Sequence, residues 1–116
     1  MTMSARSDLD LKAIKAALEL EQAELADISA AAADERRPVE LDQQSVGRLS
    51  RMDALQVQAM AHATEARRQV RAQRIKAALD RLEAGEYGYC VECGDEILAA
   101  RLDIDPTNPR CVDCSK

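Results

Sequence analysis

Two Cys-x-x-Cys pairs lie near the end of the chain, Cys90-Val91-Glu92-Cys93 and Cys111-Val112-Asp113-Cys114, with 17 residues between them. Each pair puts two thiols on one tight turn, and the intervening loop can bring both turns to a single ion. This is the spacing of a tetrahedral four-cysteine zinc site. Gly94 directly follows the first pair, where a metal-binding turn often needs a positive φ. Two other readings stay open: a pair of disulfides, or a redox-active Cys-x-x-Cys, which normally comes singly within a βαβ pattern. The opening residues Met1 to Arg6 hold no apolar core of a secretory signal, so a cytoplasmic chain with reduced, metal-binding thiols is expected.

The rest of the chain has little with which to build a bulky core. Among 116 residues there is no Trp, no Phe and only two Tyr, and much of the 47% apolar content is alanine. Alanine mixed with Glu, Arg, Leu and Gln favours long helices. The net charge of −5 argues against a protein held to nucleic acid by phosphate contacts. No apolar run approaches the ~20 residues of a membrane span.

From Ser7 to about Ala33 nothing breaks a helix, and Ser7 is the expected N-cap, with Asp8 and Asp10 in the first turn. Leu11, Ile14, Leu18, Leu25 and Ile28 recur on alternating three- and four-residue steps, with Glu21 in the vacant step and Ala32 closing the series. This is a heptad seam. Pro38 should end the helix. A second helix is expected from Val39–Asp42 to Ala84, interrupted only by Gly47, with Arg81 in its last turn and Gly85 as its C′ residue. A turn centred near Arg37 would make the two an antiparallel hairpin within a monomer; the rival is a parallel or antiparallel homodimer of separate helices, and Pro38 and the short loop favour the hairpin. Leu25 would then face Leu49, Ile28 would face Val46 and Ile14 would face Met60, along a series Val46, Leu49, Asp53, Gln56, Met60, Ala63. Glu21 would then lie opposite Asp53, either as an exposed flank with the register off by one or two, or as a polar layer that fixes register, with Arg48 or Arg51 as counter-charge.

Helices of roughly 25 and 44 residues, or ~38 and ~66 Å, would leave the last five turns of the second without a helical partner. Ile75, Ala78, Leu79 and Leu82 on those turns need a cover. The cysteine segment, with Tyr87, Tyr89, Ile97, Leu98, Leu102 and Ile104, is the expected one, aided by residues 1–8. The fold class is therefore mainly α, with residues 1–84 as an N-terminal segment and coiled-coil hairpin, tip near 34–42. Residues 85–116 form a zinc module on the base of helix two. His62, the single histidine, is expected on the surface.

The run Gly85-Glu86-Tyr87-Gly88-Tyr89-Cys90-Val91-Glu92-Cys93-Gly94-Asp95-Glu96-Ile97, followed by Arg101-Leu102, Pro106-Thr107 and Cys111-Val112-Asp113-Cys114, resembles the DksA/TraR-type C4 zinc-finger family. The resemblance implies one zinc ion on Cys90, Cys93, Cys111 and Cys114. It also implies a cytoplasmic regulator that binds RNA polymerase in the secondary channel, without specific DNA binding, and in many members together with guanosine tetraphosphate. Family members approach the polymerase centre with an Asp-x-x-Asp-x-Ala tip. Asp42-Gln43-Gln44-Ser45-Val46-Gly47 matches its first Asp alone, and Glu40 is a second acid that could serve, with Asp34 and Glu35 nearby. Extending the match back along helix two puts Arg67 and Arg74 where the family places basic nucleotide contacts. Asp105 and Ser115 stand where it places further basic residues. The sequence carries no nucleophile–base set, Walker loop or dinucleotide fingerprint, so an enzyme is not expected. Two other functions stay open: a zinc-stapled coiled-coil adaptor for another protein, and a thiol redox sensor that releases zinc on oxidation.

Overall fold

The computed structural model describes residues 6–38 and 48–116, with side chains in the second long helix from residue 51. The elements are α1 (Leu11–Ala31), a single 3₁₀ turn (Ala33–Arg36), α2 (Arg48–Ala84) and two short helices, α3 (Ala99–Ile104) and α4 (Val112–Ser115). Among the described residues the fold is mainly α, as expected: an antiparallel helix pair with a small four-cysteine module. None of these helices is long and apolar enough to cross a membrane. Two compact units divide the chain, Met1–Ala23 with Ala72–Lys116, and Glu24–Arg71.

In the first unit α1 begins later than expected. Asp10, not Ser7, is the N-cap. Its carboxylate accepts the Ala13 N–H at 3.0 Å, a bond whose loss typically costs ~1 kcal/mol. Residues 7–9 stay in a turn because Arg6 is inserted elsewhere and takes the Asp8 carboxylate with it, at 2.7 and 3.1 Å. At the other end, α2 stops as its sequence dictates. Gly85 takes φ 76°, its N–H bonds to the Leu82 carbonyl at 3.3 Å, and the Glu86 N–H reaches Arg81 at 2.8 Å. These are the paired bonds of a Schellman cap.

The core of this unit joins three segments. Leu18 from α1, Ile75 and Ala78 from α2, and Tyr87, Ile97 and Leu102 from the C-terminal segment are all buried. The large aliphatic side chains among them, Leu18, Ile75, Ile97 and Leu102, each contribute roughly 1.5–3 kcal/mol on burial. The exposed stripe expected at the end of α2 is therefore covered, and from two sides. Leu11 and Lys15 of α1 line a shared groove with Leu79 and Leu82, so these turns do have a helical partner. The module supplies the other cover: Arg81 of α2 donates to the Thr107 carbonyl at 3.4 Å and Arg74 pairs with Asp105 at 3.1 Å, while inside the module Tyr87 donates to the Pro106 carbonyl at 2.7 Å. Leu98 and Ile104, expected in that cover, are exposed. A helix as short as α3 turns one face inward, and Leu102 occupies it.

In the second unit the pairing is antiparallel but in another register. The Ser29 hydroxyl donates to Glu65 at 2.6 Å, and the Gln58 amide reaches the Arg37 carbonyl. Moving from 29 to 37 on one side thus means moving from 65 back to 58 on the other. Leu25 stands about level with Gln69, not Leu49. The chain has not reversed at Arg37, which is extended (φ −64°, ψ 148°) as a residue before proline must be. Ile28 and Met60, expected in the seam, are 48% and 64% exposed; Asp53, Gln56 and Ala63 are exposed too. The half-buried positions described are Leu25, Ser29, Ala32 and Arg36 on one side and Ala54, Gln58, Ala61, Thr64, Glu65, Arg68 and Arg71 on the other. Asp53 is exposed, as the flank reading of Glu21 and Asp53 has it, and the polar layer that does form is centred on Glu65. Val46 and Gly47 lie outside the described residues.

Candidate metal centre

The first cysteine pair sits in a narrow loop closed by backbone bonds. The Ile97 N–H donates to Gly88 at 2.8 Å, the Cys90 N–H to Asp95 at 2.8 Å, and the Gly94 N–H back to Cys90 at 2.9 Å. Tyr89 and Glu96 face each other as an isolated antiparallel bridge. Gly94 has φ 79°, the left-handed conformation expected after a metal-binding pair, and Gly88 has φ 92°. The second pair frames α4, where Ser115 closes on Cys111 through both its N–H (3.1 Å) and its hydroxyl (2.9 Å). The two halves are tied together. The Val91 N–H bonds to Pro109 at 2.8 Å, Arg110 pairs with Glu92 at 2.9 Å, and Arg101 reaches the Arg110 carbonyl and the Ser115 hydroxyl at 3.1 and 2.9 Å.

These ties bring all four sulfurs within 4.8 Å of one another. Zinc–sulfur bonds of ~2.3 Å in a tetrahedron put neighbouring sulfurs roughly 3.8 Å apart. Cys93 and Cys111 are separated by 3.7 Å, far beyond the ~2.05 Å of a disulfide bond. The four cysteines are unpaired. Backbone N–H groups of Cys93 and Cys111 aimed at its sulfur pull the Cys90 thiol down to about 6. Hydrogen bonding with the Cys111 sulfur, then with Cys90 and Cys93, pushes Cys114 up. Four thiols this close cannot all ionise on their own, and a dication is the charge that lets them. The donor set fits a single zinc ion closed to further ligands.

The other expected site residues are not gathered with the cysteines. Arg67 is exposed and donates to the Thr64 hydroxyl at 3.2 Å. Arg74 pairs with Asp105 at 3.1 Å. The same Asp105 carboxylate accepts from the Thr107 N–H and hydroxyl at 3.0 and 2.7 Å, so it braces the module. Glu40 and Asp42 lie outside the described residues. Asp34 pairs with Arg37 at 2.9 Å, and His62 is exposed. Sequence reasoning missed Arg6, which is buried against the cysteine loop. A lone arginine ahead of the heptad seam carries no local signal of such a role.

Residues 85–115 match the prokaryotic dksA/traR C4-type zinc finger. Among curated proteins the chain is similar to the RNA polymerase-binding transcription factor DksA of Haemophilus influenzae, 44% identical over 41 residues, or 35% of this chain and 28% of the relative. The Caulobacter vibrioides protein of the same name is 44% identical over 43 residues, covering 37% and 30%. The chain thus matches less than a third of the length of these relatives. Among solved structures, transcription factor DksA2 from Pseudomonas aeruginosa has the same fold. It aligns with a TM-score of 0.71 at 22% identity, over 90% of this chain and 79% of that one.

Proposed function

Because residues 85–115 are a zinc finger of the DksA/TraR kind, we propose that this chain is a cytoplasmic, non-enzymatic regulator that binds bacterial RNA polymerase in its secondary channel and alters transcription as a monomer, without reading DNA sequence. The supporting observation is the coincidence of two likenesses: the module's sequence is close to proteins named for binding RNA polymerase, and the helix pair carries the same fold as DksA2 over most of the chain. The net charge of −5 fits a protein partner better than DNA.

In this reading the helical part, residues 1–84, and the zinc module, residues 85–116, divide the work. Cys90, Cys93, Cys111 and Cys114 hold the zinc. Its role is structural, since a closed four-thiolate shell leaves no open position for substrate. Glu40 and Asp42 are the acids assigned to the polymerase's catalytic centre. A guanosine tetraphosphate contribution would draw on Arg67 and Arg74, whose planar forks suit phosphate. The Asp105 carboxylate on Arg74 must first be displaced by any such phosphate.

Co-purification with RNA polymerase, followed by transcription in vitro with and without guanosine tetraphosphate, tests the reading. Binding is expected at micromolar protein and low salt. Glu40→Ala with Asp42→Ala should keep binding and weaken the transcriptional effect. Arg74→Ala should reduce only a nucleotide-dependent part. No polymerase binding by the wild type would leave the adaptor reading in its place.

A further inference from the structure

Arg6 stands 82 residues before Gly88, yet it is 6% exposed and sits against the base of the first cysteine loop. One guanidinium nitrogen, Nη1, donates to the Gly88 carbonyl at 2.8 Å and also to the Ile97 carbonyl. Gly88 and Ile97 are the two residues that close the loop carrying Cys90 and Cys93. The remaining nitrogens, Nε and Nη2, grip the two Asp8 oxygens at 3.1 and 2.7 Å, with Glu96 3.8 Å away. The charge is thus buried with its partners supplied, the condition under which a buried arginine is tolerated. Hydrogen bonding to Asp8 raises its pKa further, so it stays charged. The fit is close: a Cβ on Gly88 would meet the Arg6 Cδ at 2.9 Å.

We propose that Arg6 is a positioning residue for the metal centre: its guanidinium staples the open end of the Gly88–Ile97 loop and so sets how firmly the first cysteine pair holds zinc. The proposal rests on the zinc reading of the four cysteines and is independent of any polymerase partner. It touches one pair only. No bond from Arg6 reaches Cys111, Cys114 or α4 among those described, so its loss should loosen the loop of Cys90 and Cys93 and spare the second pair. Arginine is specified over lysine because two carbonyls and a carboxylate are served at once by a flat fork, which a single ammonium point cannot match.

The test uses the full zinc-loaded chain. Zinc content of the wild type is measured first; a chain without zinc would defeat the zinc reading itself, and this proposal with it. Release of zinc to an excess of chromogenic chelator is then timed for wild type, Arg6→Ala and Arg6→Lys. Release from Arg6→Ala should be roughly 10-fold faster, the scale on which outer-shell partners act on a metal site, and Arg6→Lys should fall between. Amide exchange read residue by residue separates this role from general weakening. The Cys90 and Ile97 amides should lose protection while the Ser115 amide keeps it. Should Arg6→Ala lose helical signal, Arg6→Lys, which keeps the stem and charge, decides alone. Wild-type release rates in a folded variant, or equal loss of protection at Ile97 and Ser115, would overturn the proposal.

Discussion

The two compact units are held by different physics. In the unit containing the cysteines, apolar side chains from three segments meet around Leu18, Ile75, Ala78 and Ile97, and a metal centre adds its own constraint. In the unit of residues 24–71 the seam is small and polar. Glu65 sits at its middle and accepts from Ser29 and Gln69 at 2.6 Å and from Arg36 and Arg68 at 3.1 Å. Apart from Leu25, the large apolar side chains described there face outward: Ile28, Met52, Leu55, Val57, Met60 and Val70 are all exposed. Burial contributes free energy in proportion to area, whereas net hydrogen bonds contribute little individually but demand one alignment. The first unit is thus built for stability and the second for register, and the second should open at lower cost.

Removing the metal should break this contrast most severely. Zinc stripped by a chelator, or Cys93→Ser, should unfold the module around Gly85–Lys116, because so short a segment has little core of its own. The zinc content should fall while much of the helical circular dichroism persists. Full zinc occupancy in the variant would refute the four-cysteine assignment. Next in size is Ile75→Ala, which leaves a cavity where three segments meet. It should cost about 2–5 kcal/mol in urea unfolding, and a value near zero would mean this core is not closed.

The third effect depends on pH. Hydrogen bonds from Ser29 and then Gln69, with the cations of Arg68 and Arg36, hold the Glu65 carboxyl down to about 2, from an ordinary value of 4.5. A depressed acid contributes its stability in full above the unfolded pKa, and loses it as pH falls from 4.5 toward 2. The difference in urea midpoint between wild type and Glu65→Gln should therefore be larger at pH 6 than at pH 3. A gap independent of pH would show that the charge is not what aligns the seam. The smallest effect belongs to Met60→Ser. With its side chain in solvent, the variant should lie within ~0.5 kcal/mol of wild type; a large loss would restore Met60 to the seam and undo the register.

The parts of the molecule that announced themselves were those with strict local chemistry. Two Cys-x-x-Cys pairs admit few geometries, and Gly94 and Gly85 occupy the positive-φ positions their contexts demand. The α1 seam was legible through Leu25, since Leu11, Ile14, Leu18 and Leu25 all turn inward. Register was not. Pro38 marks where a helix must stop, but nothing in an alanine-rich chain marks where the next pairing begins. Periodicity puts Met60 in the seam because it counts apolar residues, while the seam that formed there centres on Ser29, Glu65 and Arg36, with Leu25 and three alanines beside them. Hydrogen-bonded interfaces leave no hydrophobic rhythm to read. Arg6 was invisible for a related reason, because its partners are backbone carbonyls 82 and 91 residues away.

That separation also sets an order of events during synthesis. Arg6 leaves the ribosome long before the carbonyls it will hold. At 5–20 residues per second, the 82 residues to Gly88 take roughly 4–16 s to translate. Glu65, which completes the pairing with Ser29, is made 23 residues before Gly88, roughly 1–5 s earlier at the same rate. The nascent chain should therefore gain its polar helix pairing first and its apolar, metal-bound unit last, with the Arg6 guanidinium exposed to water until Ile97 arrives.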